Sequence, residues 1–97
     1  MGPIERVAVI GAGNMGSGIA QKSAQEGFAV QMVDKEDGFV QRGMETINGF
    51  LDEAIQRRIF SEEKVERIIS NISVGIGVES IHEDTDLVIE AVFEDID

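Results

Sequence analysis

The chain has 97 residues, and its 19 acidic and 8 basic side chains give it a formal net charge of -11. A charge of this sign repels a phosphate backbone and offers no basic face, which argues against nucleic acid as a partner. The absence of cysteine excludes disulfides, thiolate chemistry and cysteine-ligated metals.

The apolar residues make up 42% of the chain and fall in short periodic segments, which is typical of a globular protein. We find neither an internal repeat nor an interdomain linker, so the sequence predicts one compact unit over residues 1–97. It also shows no secretory signature and no apolar span of membrane length. We therefore expect a cytoplasmic protein that does not contact a membrane.

The first third of the chain predicts a strand, a helix and a second strand. Residues 7–10 form a short apolar run closed by glycine, which indicates a buried parallel strand. A helix is predicted next, and Gly27 follows where it would stop. The residues that recur at helical spacing are Met15, Ile19, Ala20, Ser23 and Ala24. A second apolar run spans residues 28–33 and ends at Asp34. A β-α-β unit takes about thirty residues, so the two strands should be parallel neighbours.

The remaining elements predict two further helices and two further strands. The second helix is weakened locally by Gly43 and Gly49, and its apolar stripe consists of Val40, Met44, Ile47, Leu51, Ala54 and Ile55. Ser61 is a good cap for a third helix that runs to about Ile69. The third strand is predicted at 71–74 and the fourth at 87–92. This alternation predicts an α/β fold with a parallel sheet covered on both faces and a helix pair between strands 2 and 3.

A glycine-rich turn joins the first predicted strand to the first helix. It reads Gly11, Ala12, Gly13, Asn14, Met15 and Gly16, a GxGxxG pattern. In this context the first glycine permits a tight turn, the second lets a pyrophosphate approach the backbone, and the third lets helix and strand pack closely. The free amides of the first helical turn then face the phosphates. The alternative is a purely structural βα connection.

Asp34 supports the dinucleotide interpretation over the structural one. It ends the second predicted strand, where a carboxylate accepts hydrogen bonds from the adenosine ribose hydroxyls. A carboxylate there also repels the 2′-phosphate of NADP, so NAD is the predicted cofactor. Lys35 follows directly and could soften that repulsion, which leaves mixed or NADP use as the alternative.

Other polar residues are given no catalytic or metal role. His82 is the single histidine, and we interpret it as a solvated loop residue. The nearby acidic residues lack a ligand spacing for metal. Glu53 with Arg57, and Glu63 with Arg67, stand four residues apart and predict local charge pairs. Arg57 and Arg58 lie near the end of the second helix, where basic side chains interact favourably with the helix dipole. The alternative is that they contact the phosphates of coenzyme A.

Two stretches of the chain resemble the 3-hydroxyacyl-CoA dehydrogenases. Residues 7–20 read VAVIGAGNMGSGIA, which is similar to the fingerprint of that family, and residues 86–95 read DLVIEAVFED, which is similar to its second signature. The resemblance covers essentially the whole chain. It implies the first half of a Rossmann-type doubly wound sheet, with cofactor-cleft roles for the backbones of Ala91 and Val92 and a nicotinamide-side contact for Glu94.

The resemblance also implies a reaction, the NAD-dependent oxidation of an (S)-3-hydroxyacyl-CoA to the 3-ketoacyl-CoA in fatty-acid metabolism. The catalytic histidine and glutamate of the family follow the second signature, so His82 does not match that histidine. We expect the 97 residues to be inactive alone and to lack the catalytic continuation and a C-terminal helical domain. In the full-length enzyme we expect an acyl-CoA substrate and a homodimer. Alternatives are an L-gulonate type dehydrogenase and a non-catalytic nucleotide-binding module.

Overall fold

A computed structural model describes residues 3–91 of the chain. The strands are β1 (Arg6–Ile10), β2 (Ala29–Asp34), β3 (Ile72–Ile76) and β4 (Leu87–Glu90), and the helices are α1 (Asn14–Gln25), α2 (Asp37–Gln56) and α3 (Glu62–Ser70). The strands form one parallel sheet in the order β3-β2-β1-β4. The predicted α/β class, the parallel pairing and the helix pair between the second and third strands are confirmed.

The predicted strand boundaries differ from the structure by one or two residues, most of all at the third strand. The third strand lies at 72–76 instead of 71–74, because its pairing with β2 continues until Ile76 stands opposite Asp34. Pairing with a central strand thus overrides the low strand propensity of Gly75. A short 3-10 helix at Val78–Ser80, which the sequence did not predict, follows β3. Strand β4 ends at Glu90, and residue 92 lies outside the described range.

The three helices contact one another and pack on one face of the sheet. Strands β1 and β2 send alternate residues into this core, and α2 supplies the largest helical share. The buried residues that β1, β2 and α2 contribute to this core are Val7, Val9, Val30, Met32, Val40, Ile47 and Leu51. Ala54 of α2 is buried as well. The predicted stripe of α2 is confirmed, with Met44 and Ile55 at its half-buried margin.

The opposite face is covered by the crossover between β3 and β4, and only over part of its width. Gln31 points to this face with 6% of its surface exposed, and its amide nitrogen donates to the Ser80 carbonyl at 2.8 Å. Its amide oxygen accepts from the His82 backbone N–H at 3.2 Å. Val88 lies on the same face and is half exposed. The expected cover on both faces is therefore incomplete in the part of the chain that the structure describes.

An arginine in the left-handed conformation follows helix α2, two residues after Gln56. Arg58 has φ of 59°, its amide donates to the Ile55 carbonyl at 3.0 Å, and the Ile59 amide donates to the Ala54 carbonyl at 2.8 Å. This is the Schellman pattern, whose left-handed residue is usually glycine. Arg57, beside it, forms the predicted ion pair with Glu53 at 2.9 Å.

We expect Arg58→Gly to raise the free energy of unfolding by roughly 1 kcal/mol, because glycine adopts this conformation without a Cβ clash. Urea denaturation followed by circular dichroism measures the change. Arg58→Ala is the control, since it removes the same side chain and keeps the strain. Equal stability of the two variants would show that the backbone conformation is not the cause.

The carboxylate of Asp86 joins the crossover to the start of β1. One of its oxygens accepts hydrogen bonds from the Glu5 and Arg6 backbone amides, both at 2.9 Å. These bonds, from Glu5 first and Arg6 second, lower the pKa of Asp86 below its ordinary value of 3.8. A lowered pKa stabilises the fold above the unfolded-state pKa, and this stabilisation disappears as the pH falls through the folded-state pKa.

We therefore expect Asp86→Asn to be less stable than the parent at neutral pH, with a difference that narrows as the pH falls through 3.8 and below. Urea midpoints measured across this pH series test it. Asp84→Asn is the control, because Asp84 forms an exposed ion pair with Arg6 at 3.1 Å, a kind of pair that contributes little. If the stability difference between Asp86→Asn and the parent did not change with pH, the ionised carboxylate of Asp86 would not be its cause.

Candidate dinucleotide-binding site

The turn after β1 requires two of its three glycines for the fold itself. Gly11 has φ of 113°, a conformation that L side chains rarely adopt, and its amide donates to the Val33 carbonyl at 2.7 Å. A Cβ on Gly16 would lie 1.8 Å from the Gly11 carbonyl oxygen. These two glycines therefore allow α1 to start directly against the turn.

Gly13 differs from the other two glycines of the turn. Its φ is -74°, which any residue adopts, and a Cβ placed on it would meet no atom of residues 3–91 within 4 Å apart from its chain neighbours. No contact in the described part of the chain requires glycine at this exposed position. The space that a side chain would fill is the space through which a pyrophosphate approaches the backbone. The residues present therefore fit a dinucleotide.

The first turn of α1 is open to an anion. Gly13 is the N-cap and provides no side-chain hydrogen bond, and the first turn contains no acidic residue. Asn14 and Met15 are exposed, so the free amides of this turn lie at the surface. Amides and helix dipole together favour a phosphate here despite the negative charge of the chain. Met15, predicted on the apolar stripe of α1, is 64% exposed and does not join the core.

Asp34 contacts the turn directly. It is half-buried at the end of β2, its Oδ2 accepts from the Ala12 amide at 2.9 Å, and its Oδ1 accepts from the Lys35 amide at 2.7 Å. Each carboxylate oxygen has a second acceptor site. Asp34 can therefore brace the turn and still accept hydrogen bonds from ribose hydroxyls.

Ala91 lies beside the same turn, on the other side of β1. It follows β4, is buried, and donates its amide to the Ile10 carbonyl at 2.7 Å. The order of the strands reverses between β1 and β4, and in open α/β sheets ligands bind outside the carboxyl ends of the strands at such a point. The structure thus brings Ala91 together with the turn and Asp34. The predicted site residues Val92 and Glu94 lie outside the described residues.

One contact behind the turn was not predicted from the sequence. Gly43 is buried on α2, and a Cβ on it would lie 2.8 Å from the Ala12 carbonyl oxygen. The sequence indicated this glycine only as a weak point of the helix. The sequence did contain a signal for this contact. Glycine is disfavoured inside a helix, so a glycine on the buried stripe of an amphipathic helix indicates close packing against another segment.

The residues that were given no chemical role lie elsewhere. His82 is exposed and lines a cavity of about 170 Å³ together with Arg6 and Thr85, at the amino ends of the strands and opposite the turn. Between residues 3 and 91 the structure shows no cluster of three potential metal ligands, no helix able to cross a membrane, and no Glu63–Arg67 ion pair.

A parallel β3-β2-β1-β4 sheet, a GxGxxG turn at its switch point and a carboxylate at the end of β2 define a dinucleotide-binding domain of the Rossmann class. The family described as "3-hydroxyacyl-CoA dehydrogenase, NAD binding domain" matches residues 6–97. The chain belongs to this family, and NAD is the cofactor of the domain.

Relatives and solved structures agree with this membership. The chain is 38% identical over 91 residues to the 3-hydroxybutyryl-CoA dehydrogenase of Bradyrhizobium diazoefficiens, covering 94% of this chain and 31% of the relative. It is 35% identical over 91 residues to the fatty acid oxidation complex subunit alpha of Colwellia psychrerythraea, covering 94% and 12%. The crystal structure of (S)-3-hydroxybutyryl-CoA dehydrogenase from Ralstonia eutropha superposes with a TM-score of 0.89 at 36% identity, covering 97% and 33%.

The chain therefore spans about a third of these two dehydrogenases, and less of the complex subunit. The names of other matching relatives include a peroxisomal multifunctional protein of Arabidopsis thaliana and a mitochondrial hydroxyacyl-coenzyme A dehydrogenase of Sus scrofa.

Proposed function

We propose that NAD is held by the turn of residues 11–16 and by Asp34 and Ala91. The observation that carries this proposal is the open space at Gly13 beside the Asp34–Ala12 hydrogen bond. The amides of the first turn of α1 bind the pyrophosphate, and Asp34 accepts from the adenosine ribose. Ala91 lines the cleft through its backbone. Val92 as a second lining residue and Glu94 at the nicotinamide side rest on the family resemblance alone.

The proposal extends to the activity of the whole protein, the oxidation of (S)-3-hydroxyacyl-CoA to 3-ketoacyl-CoA in fatty-acid oxidation. NAD supplies the hydride acceptor, and the residues of this chain bind and orient it. Two relatives are named as dehydrogenases of the hydroxyacyl-CoA type and one as a fatty acid oxidation complex subunit, which supports this reading over a sugar-acid substrate. An acyl-CoA partner and a homodimer belong to the same proposal, as does the inactivity of the 97 residues alone. Cytoplasmic location stays a prediction, and cell fractionation tests it against the peroxisome and mitochondrion.

Calorimetric titration with NADH and NADPH tests the cofactor site. We expect NADH to bind and NADPH to bind more weakly, because the Asp34 carboxylate repels a 2′-phosphate. Equal binding of the two would show that Lys35 offsets this repulsion. Failure of a folded sample to bind either would contradict the site.

Reduction of NAD by the whole protein tests the reaction. The substrates to compare are (S)-3-hydroxybutyryl-CoA, its (R) enantiomer and L-gulonate, with the 97-residue chain assayed alongside. We expect turnover of the (S) acyl-CoA alone, and by the whole protein alone. Turnover of L-gulonate but not of the acyl-CoA would replace the proposed substrate class.

A further inference from the structure

Helix α2 crosses directly behind the glycine-rich turn, and Gly43 is the residue at the crossing. A Cβ on Gly43 would lie 2.8 Å from the Ala12 carbonyl oxygen, 3.1 Å from the Ala12 Cβ and 2.9 Å from the Met32 Cε. The methionine end is flexible and can move away. The carbonyl belongs to the backbone of the turn, so a side chain at position 43 has to move either the turn or the helix.

Ala12 is held from two directions. Its amide donates to Asp34 at 2.9 Å, and its carbonyl side rests against Gly43. The peptide group is planar, so the Ala12 carbonyl and the Gly13 amide move as one unit. Displacement of this carbonyl therefore reorients the Gly13 amide, which belongs to the turn that we propose holds the pyrophosphate.

We propose that Gly43 is a positioning residue of the cofactor site: its missing side chain lets α2 set the position of the Ala12–Gly13 peptide. This inference rests on the proposed NAD site and adds to it a residue on a different helix. A side chain at position 43 weakens cofactor binding through the turn.

The test compares Gly43→Ala with Gly49→Ala in the protein. Gly49 is an exposed glycine of the same helix, and a Cβ there would meet none of the described residues within 4 Å. The two variants thus make the same chemical change, with the same gain in helix propensity. NADH affinity is measured by calorimetry at a temperature where circular dichroism shows each protein folded. We expect about a tenfold loss of affinity or more for Gly43→Ala and parent-like affinity for Gly49→Ala.

A second variant separates crowding of the core from displacement of the turn. Met32→Leu removes the Cε atom while nearly conserving volume, so Gly43→Ala with Met32→Leu relieves the core contact and keeps the contact with the Ala12 carbonyl. We expect this double variant to regain thermal stability relative to Gly43→Ala but not NADH affinity, with Met32→Leu alone as its reference. The Gly13 amide resonance in the NMR spectrum should stay shifted from its parent position. If Gly43→Ala does not fold, the double variant takes its place in the titration.

Failure of the proposed cofactor site and failure of the inference about Gly43 give different results. If the folded parent protein does not bind NADH, the proposed cofactor site is wrong and this inference falls with it. If the parent binds NADH and Gly43→Ala binds it as tightly as Gly49→Ala, or if the double variant recovers full affinity, the cofactor site stands and Gly43 is only a core-packing residue.

Discussion

Replacing Asp34 with alanine should weaken NADH binding by about 10- to 100-fold, since a hydrogen bond to a charged group is worth roughly 1.5–3 kcal/mol. Two effects combine in this variant. The ribose loses its proposed acceptor, and the Ala12 amide loses the acceptor that now holds it at 2.9 Å. The preference for NADH over NADPH should disappear as well, because the charge that repels the 2′-phosphate is gone. Calorimetric titration with both cofactors measures the NADH affinity and the preference for NADH over NADPH.

Two further variants make the interpretation specific. Asp52→Ala removes the same charge from an exposed position of α2 and should leave both affinities unchanged. Asp34→Asn keeps one oxygen acceptor for the Ala12 amide but removes the charge, so we expect it to bind NADPH relatively better than the parent does. If Asp34→Ala bound NADH as tightly as the parent protein, the ribose assignment would be wrong.

Several features that the sequence predicted correctly are set by neighbouring residues. The strand-turn-helix around Gly11 follows from an apolar run, a glycine that adopts φ of 113° and a helix that starts at once. Ser61 caps α3 as expected, with its hydroxyl accepting from the Lys64 amide at 3.1 Å. Gly27 ends α1 because it adopts φ of 102° just beyond the last turn.

The features that the sequence did not predict depend on residues distant in the chain. Gln31 lies in an otherwise apolar strand, and only the fold brings Ser80 and His82 within its reach. Asp86 finds the amides at the start of β1 some eighty residues earlier. Periodicity describes one segment at a time, so it carries no information about which segments meet.

Gly13 and Gly16 belong to one fingerprint, and we expect their replacement by alanine to have different effects. Gly16→Ala should destabilise the fold by about 3 kcal/mol, at the upper end for overpacking, because its Cβ would overlap a backbone carbonyl at 1.8 Å. Gly13→Ala should destabilise the fold by only about 1 kcal/mol, because alanine is a poorer N-cap than glycine and loss of an N-cap typically costs about that much. Its NADH affinity should nevertheless fall by about tenfold or more, since the new methyl group stands where the pyrophosphate approaches.

Urea denaturation and NADH titration of both variants check this separation, with Gly18→Ala as the control. Gly18 lies on α1, as Gly16 does, and a Cβ placed on it would meet nothing within 4 Å in the part of the chain that the structure describes. Alanine there should therefore add about 0.5–1 kcal/mol of stability and leave NADH affinity unchanged. A stable Gly13→Ala variant with full affinity would mean that the open space at Gly13 is not used by the cofactor. A loss of affinity in Gly13→Ala with a much smaller loss of stability than in Gly16→Ala would show that Gly13 serves the ligand, whereas Gly16 serves the fold.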